Sequence, residues 1–197
     1  MRSAQVLAAV AARLNRDAGA PAIPSLYFFI DPERTPDPID VAERLPRGTA
    51  IVYRHFGAPE RARIARRLAA ICRLRGLVLL IGGDAELAKR CGADGVHWPE
   101  RLLPTTRGDF RLVTGAAHSA AALARAGLAR LDACVLSPVL PTNSASAHPP
   151  LGIFRASQLA RASTIPVIAL GGVNAETART LVGRGFAGIA AVEGLAA

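Results

Sequence analysis

Short apolar segments alternate with amphipathic segments along nearly the whole chain. Eight apolar runs have the length and composition of buried parallel strands, at residues 26–30, 50–53, 77–81, 95–98, 112–114, 133–136, 166–170 and 188–192. The segments between them show helical periodicity, most clearly at 59–74, 85–91, 120–126, 155–162 and 175–182. Most successive strands are spaced by about 17–30 residues, which is the spacing that a strand–helix unit requires.

This strict alternation predicts a single (β/α)8 TIM barrel, and a doubly wound open sheet is the alternative. Residues 92–96 and 185–189 share a turn in which a helix C-cap glycine leads into a buried strand. We expect one domain over residues 1–197, with the barrel in 24–197 and an extra N-terminal capping helix in 1–22. The last helix should be truncated, and a homodimer would be another way to cover the wall left open.

The basic charge of the chain does not form a tract. Lysine and arginine number 24 against 15 acidic residues, a formal net charge of +9. The densest segment, residues 61–75, has the periodicity of one amphipathic helix that turns Arg66 and Arg73 to solvent. We therefore expect no nucleic-acid partner, whereas a basic surface would attract phosphorylated small molecules.

The apolar runs and the cysteines both indicate a cytoplasmic protein. No run reaches the roughly 18 residues needed to span a bilayer, so no membrane partner is expected. The three cysteines, which show no metal-binding spacing, lie in apolar periodic segments and should be buried free thiols; they are Cys72, Cys91 and Cys134.

The strongest candidate site follows the seventh predicted strand. In barrels of this kind the active site lies at the carboxyl ends of the strands, and the loops after strands seven and eight usually bind phosphate. Gly171 and Gly172 permit close backbone approach, and exposed amides at a helix start favour an anion. Asn174 is expected to cap the next helix. We include Val192, at the end of strand eight, among the predicted phosphate-binding residues.

A long loop after strand six provides a second candidate. Loops of this length without their own periodicity often bind ligands, although a flexible polar connection is the alternative. The hydroxyl groups of Thr142 and Ser144 can donate to phosphate oxygens, so both are predicted phosphate-binding residues.

Several landmarks occur together in one order and spacing, at residues 26–31, 92–97, 137–142, 150–152, 165–173 and 188–190. With them the chain resembles the thiamin phosphate synthase and thiazole tautomerase family over residues 26–195. The resemblance implies a transferase of thiamin biosynthesis that joins hydroxymethylpyrimidine diphosphate to thiazole phosphate and releases pyrophosphate. Those two phosphorylated molecules would be its partners, and Mg2+ its cofactor if the synthase activity is retained, with none otherwise.

The chain departs from the family pattern where the resemblance implies diphosphate and metal binding. The pattern Gln-x-Arg-x-Lys after strand two keeps only Arg54, and the Asn-Asp pair after strand three is Gly82-Gly83. No metal site is therefore expected, with Asp84 and Glu100 as the only weak candidates. Further departures place other residues at family serine, lysine and catalytic histidine positions, namely Ala116, Pro138, Ala145 and Glu193.

Arg54, His97 and His118 are the predicted catalytic residues, since each lies at or near the end of a predicted strand. Either histidine could act as a general acid or base, and a structural role is the alternative for each. Two further functions remain open. One is a metal-independent thiazole-phosphate tautomerase or isomerase that uses His97 or His118, and the other is a non-catalytic barrel that binds a phosphorylated ligand.

Overall fold

Eight parallel strands close into a barrel in the computed structural model, which describes residues 2–30, 35, 37–142 and 148–192. Each strand pairs with the next along the chain, and the eighth pairs with the first, with Ile189 beside Leu26. The predicted barrel is confirmed, and the open sheet is excluded. In chain order the strands are β1 Leu26–Ile30, β2 Ala50–Tyr53, β3 Val78–Gly82, β4 Gly95–Trp98, β5 Leu112–Ala117, β6 Ala133–Leu136, β7 Val167–Ala169 and β8 Gly188–Ala191.

Helices cover the outside of the ring. They are α1 Arg2–Asp17, α2 Pro38–Arg44, α3 Arg61–Arg75, α4 Ala85–Cys91, α5 Ala120–Leu128 and α6 Ile153–Ala162, with 3-10 helices at Glu100–Leu102 and Ala178–Leu181. The described part of the chain has no helix with both the length and the hydropathy that crossing a membrane demands. Residues 193–197, where a truncated last helix was expected, lie outside the described residues.

Two of these elements differ from the sequence-based expectations. The helix predicted over 175–182 is instead a short 3-10 helix at Ala178–Leu181, preceded by a turn in which side chains bind the backbone. Asn174 Oδ1 accepts the amides of Glu176 and Thr177, and the Thr177 hydroxyl donates to the Gly172 carbonyl. Helix α2 was not predicted, although Asp37 caps it and Pro38 occupies its first turn.

Side chains of each strand alternate between the barrel interior and the layer under the helices. Tyr27 and Phe29 of β1, Val52 of β2 and Leu80 of β3 belong to the interior cluster, whereas Phe28 packs in the outer layer. The alternation determines which residues reach the mouth of the barrel, since the next inward position after each strand projects into the opening.

Helix α1 forms part of the barrel wall. It contacts β8 and β1, and it buries Leu7, Ala11 and Leu14 in the outer layer. The connection that follows reaches the amino end of the barrel, where Ala20 and Ile23 pack against the interior cluster. The N-terminal segment therefore covers the wall with its helix and the floor with its connection, as the capping-helix prediction expected.

The remaining sequence-based expectations for packing are confirmed. Helix α3 buries Leu68 and Cys72 and turns Arg66 and Arg73 to solvent. All three cysteines are buried and free. Burial raises the pKa of Cys72 and of Cys134 to about 12, so neither thiol is ionised at neutral pH.

We expect Asn15→Ala to destabilise the fold by about 1–3 kcal/mol. The buried Asn15 side-chain amide donates to the carbonyl of Ala20 at 2.7 Å and to that of Ala187 at 3.3 Å, so it joins α1 to the floor and to the start of β8. Urea unfolding monitored by circular dichroism measures the change. The control Gln5→Ala alters the exposed face of the same helix and should stay within about 0.5 kcal/mol of the unsubstituted protein. Equal losses in both variants would contradict the prediction.

Candidate functional site

The mouth of the barrel brings two predicted catalytic residues together around an aromatic ring. The guanidinium carbon of Arg54, which follows β2, lies 5.0 Å from the centroid of the Phe29 ring. The His97 ring meets the same Phe29 ring edge-on, with centroids 5.1 Å apart. Phe29 was not predicted as a site residue, because an apolar residue inside a strand gives no sequence signal beyond burial.

His97 lies deep in the opening and is only 4% exposed. Its Nδ1 is 2.9 Å from the Thr114 hydroxyl oxygen. Burial, and to a lesser extent the charge of Arg54, lowers the pKa of His97 to about 3. The imidazole is therefore neutral at physiological pH, which favours a positioning role over acid–base chemistry near neutrality.

His118 occupies a more accessible position after β5. Its Nδ1 donates to the Ser137 carbonyl at 2.6 Å, and its backbone amide donates to Glu100 Oε2 at 2.8 Å. The His148 ring stacks on the His118 ring with centroids 4.4 Å apart. Because Nδ1 is the donor, Nε2 is the acceptor nitrogen in the neutral ring, and a half-buried acceptor of this kind can take a proton from a ligand.

Gly171 and Gly172 have a packing role that sequence reasoning did not anticipate. The segment 138–141 continues the pairing of β6 with β7, because the amides of Val139 and Leu140 donate to the carbonyls of Leu170 and Gly171 at 2.8 and 3.0 Å. A Cβ on Gly171 would lie 2.7 Å from the Pro138 Cα, and φ at Gly171 is +93°. The close approach predicted for a ligand is thus made, in part, by the protein's own loop.

The same turn presents backbone donors. Among the described residues, the amide N–H groups of Gly171 and Gly172 have no hydrogen-bond acceptor. Asn174 caps the following turn as predicted, with both of its accepted hydrogen bonds at 2.9 Å, although the turn leads into a 3-10 helix. Two adjacent N–H groups with unused hydrogen-bonding capacity at a strand end can bind an anion.

Two of the other predicted phosphate-binding residues, Thr142 and Val192, lie within the described ranges. Thr142 is half-buried at the described end of the long loop. Val192 packs its side chain against the interior cluster, so only its backbone is suited to contact a phosphate. Ser144 and Glu193 lie outside the described residues.

Neither candidate carboxylate is available to a metal ion. Asp84 Oδ1 accepts the Leu87 amide at 2.8 Å as the cap of α4, and Asp84 Oδ2 pairs with Arg61 Nη1 at 2.7 Å. Glu100 Oε1 lies 3.5 Å from Arg125 Nη2, and its other oxygen accepts the His118 amide. No cluster of three His, Cys, Asp or Glu side chains that could hold a metal occurs within the described ranges. The Mg2+ that the resemblance implies therefore does not fit the residues described here.

The closed parallel ring, with its candidate site at the carboxyl ends of the strands, places the chain in the class of (β/α)8-barrel proteins. Residues 26–195 match the family model described as thiamine monophosphate synthase. The chain belongs to this family.

Individual relatives agree with that membership. A thiamine-phosphate synthase of Bacillus velezensis is 31% identical, over 87% of this chain and 83% of its own. One from Chlorobium luteolum is 32% identical, over 88% of this chain and 85% of its own. Among solved structures, the thiamine phosphate pyrophosphorylase from Pyrococcus furiosus superimposes with a TM-score of 0.76 at 24% identity, over 87% of each chain. The last comparison supports the fold alone.

We predict that Gly171→Ala destabilises the protein more than an ordinary glycine substitution at positive φ. The new Cβ adds a clash with Pro138 to the conformational strain, and we expect a loss of about 2–3 kcal/mol. Gly183→Ala is the matched control, since Gly183 also has positive φ but nothing within 4 Å of the added Cβ; it should lose about 1 kcal/mol. Urea unfolding of both variants checks this, and equal losses would show that the 138–141 contact is unimportant.

We predict that His97 makes the folded state less stable as pH falls from about 6.5 to 5. The unfolded chain takes up a proton near pH 6.5, whereas the folded chain does not until about pH 3, so the stabilisation is complete above pH 6.5 and is lost as pH falls. The slope should approach about 1.4 kcal/mol per pH unit. Urea unfolding of His97→Gln should lack this component. His148→Gln, which removes an exposed imidazole, should keep it, and an unchanged slope in His97→Gln would refute the assignment.

Proposed function

We propose that this protein is a synthase-type transferase of thiamin biosynthesis, which joins hydroxymethylpyrimidine diphosphate to thiazole phosphate and releases pyrophosphate. The observation that carries the proposal is the family match over residues 26–195. It is supported by relatives named thiamine-phosphate synthase that are 31% and 32% identical over more than four fifths of the chain. The matched range, residues 26–195, includes every strand end that surrounds the mouth.

The thiazole phosphate is the substrate that the geometry supports best. The amides of Gly171 and Gly172 offer two donors to one phosphoryl group. Thr142 supplies a hydroxyl on the neighbouring loop, and we assign the same role to Ser144 and to the backbone at Val192. The loop 138–141, held against β7, keeps these donors in one place.

Arg54 is the proposed catalytic cation for the departing group. When the bond between the methylene carbon on the pyrimidine and the diphosphate oxygen breaks, the electron pair leaves with pyrophosphate, and the methylene carbon bonds to the thiazole. A guanidinium held over the Phe29 ring at the mouth can stabilise that charge as it develops. His97, held neutral beneath it, positions this cluster, and His118 is available to contact a substrate.

The alternative functions have weaker support. A tautomerase or isomerase needs a histidine that exchanges protons near neutral pH, and His97 is held neutral by burial. In a tautomerase or isomerase of this fold, His118 would therefore be the acid–base residue. A non-catalytic barrel would retain the open amides of Gly171 and Gly172, but it would not require Arg54 at the mouth.

The test of the proposed function is product formation by the purified protein. We expect thiamin phosphate, measured by chromatography, when both substrates are supplied, and a loss of about 10²–10³-fold in kcat for Arg54→Gln. Arg66→Gln, which changes the same charge on the exposed face of α3, should be unaffected. Tight binding of thiazole phosphate without product would contradict the proposal. Tautomer exchange that disappears in His118→Ala would instead support the isomerase.

We also propose the wider setting of this activity. Residues 1–197 form one domain that works in the cytoplasm on phosphorylated small molecules, without nucleic acid or membrane as a partner. Homodimerisation remains a proposal that light scattering of the purified protein would test.

A further inference from the structure

The ends of β2 and β3 form one corner of the mouth, next to the proposed site of the leaving group. This corner comprises Phe56, Gly82 and Gly83, with Arg61 and Asp84 beside them. The family resemblance implies a metal-binding carboxylate at the position of Gly83. The residues that fill the corner therefore determine whether a metal ion there can help to bind phosphoryl groups.

In the described structure, the protein's own cations and amides occupy the side-chain oxygens of Asp84 and the carbonyl of Gly82. Arg61 Nη1 pairs with Asp84 Oδ2 at 2.7 Å, and Arg61 Nη2 donates to the Gly82 carbonyl at 2.8 Å. The remaining Asp84 oxygen caps α4. A divalent cation held here would have to displace the Arg61 side chain, which is only 16% exposed, or lie within a few ångströms of its positive charge.

An aromatic ring occupies the space above the two glycines. A Cβ on Gly82 would lie 3.3 Å from Phe56 Cζ, and one on Gly83 would lie 3.5 Å from Phe56 Cε1. Pro99 flanks Gly83 on its other side, also at 3.5 Å. The Arg61 guanidinium lies over the Phe56 ring, 5.4 Å from its centroid. Phe56 and Arg61 thus support each other where hydrated Mg2+ would need open space and oxygen ligands.

We propose that the corner formed by Phe56, Gly82, Gly83, Arg61 and Asp84 holds no divalent cation, and that this protein contributes no metal ligand from the ends of β3 and β4. Glu100, in the 3-10 helix after β4, has one oxygen 3.5 Å from Arg125 Nη2, and its other oxygen accepts the His118 amide. This inference rests on the proposed function only in its choice of substrate chemistry, since the oxygen contacts stand by themselves.

Titration of the purified protein with Mn2+, followed by electron paramagnetic resonance, tests the inference directly. Mn2+ reports on a Mg2+ site because it takes the same oxygen ligands. We expect no protein-bound Mn2+, either with the metal alone or with pyrophosphate present. Bound Mn2+ in either titration would overturn the inference.

A variant designed to gain Mn2+ binding tests why the corner holds no divalent cation. Gly83→Asp combined with Arg61→Gln supplies a second carboxylate and removes the competing cation. The nearest atoms to the new Cβ are at ordinary contact distance, and the strain of a side chain at φ +61° is the same in the Asn control below. We expect Mn2+ affinity to rise at least about tenfold. The matched control, Gly83→Asn with Arg61→Gln, adds the same volume without a carboxylate and should gain nothing. A folded Gly83→Asp, Arg61→Gln variant without Mn2+ affinity would overturn the explanation.

The product assay separates this inference from the proposed function. Absence of thiamin phosphate with no bound Mn2+ would refute the synthase and leave the inference standing. Thiamin phosphate formation together with protein-bound Mn2+ would establish the synthase and refute the inference. Equal rates in Mg2+ and in a chelator, with no bound Mn2+, would support both.

Discussion

Hydrogen bonding between β8 and β1 is the constraint on which the site depends. Until the eighth strand pairs with the first, the carboxyl ends of the strands lie along an open edge, with Arg54 after β2 and the turn at Gly171 after β7 near its two ends. Closure converts that edge into a ring and the inward positions into a mouth. Helix α1 supports the closure, because it packs across the two strands that meet there.

Backbone contact between neighbouring loops shapes the mouth further. The segment 138–141 lies so close to Gly171 and Gly172 that a side chain at either glycine would collide with it. That contact uses the carbonyl groups of Leu170 and Gly171, and it leaves the amide N–H groups of Gly171 and Gly172 without an acceptor among the described residues. A glycine pair selected by packing can thus also present donors to an anion, so structural and binding roles need not compete at one position.

Charge at the mouth is arranged in pairs that the protein satisfies internally. Arg61 neutralises Asp84, and Arg125 neutralises Glu100. The Arg54 guanidinium lies over the Phe29 ring, whose face attracts a cation. The Arg54 guanidinium and the amides of Gly171 and Gly172 are the groups that we propose to bind an anionic substrate. In a carboxylate-based site, the bound metal ion supplies the positive charge beside the leaving group. In the arrangement that we propose, guanidinium and amide groups supply it.

The sequence by itself determined the strands, most helices and their alternation, because continuous apolar runs and apolar patterns with a period of 3.6 are local properties. It also located the glycine turn and the capping role of Asn174. Only the tertiary structure decided that Asp84 and Glu100 are committed to arginines, that His97 is neutral, and that Phe29 joins it to Arg54. Those facts depend on contacts between residues on different strands and helices, and no local pattern encodes which side chains meet across a closed ring.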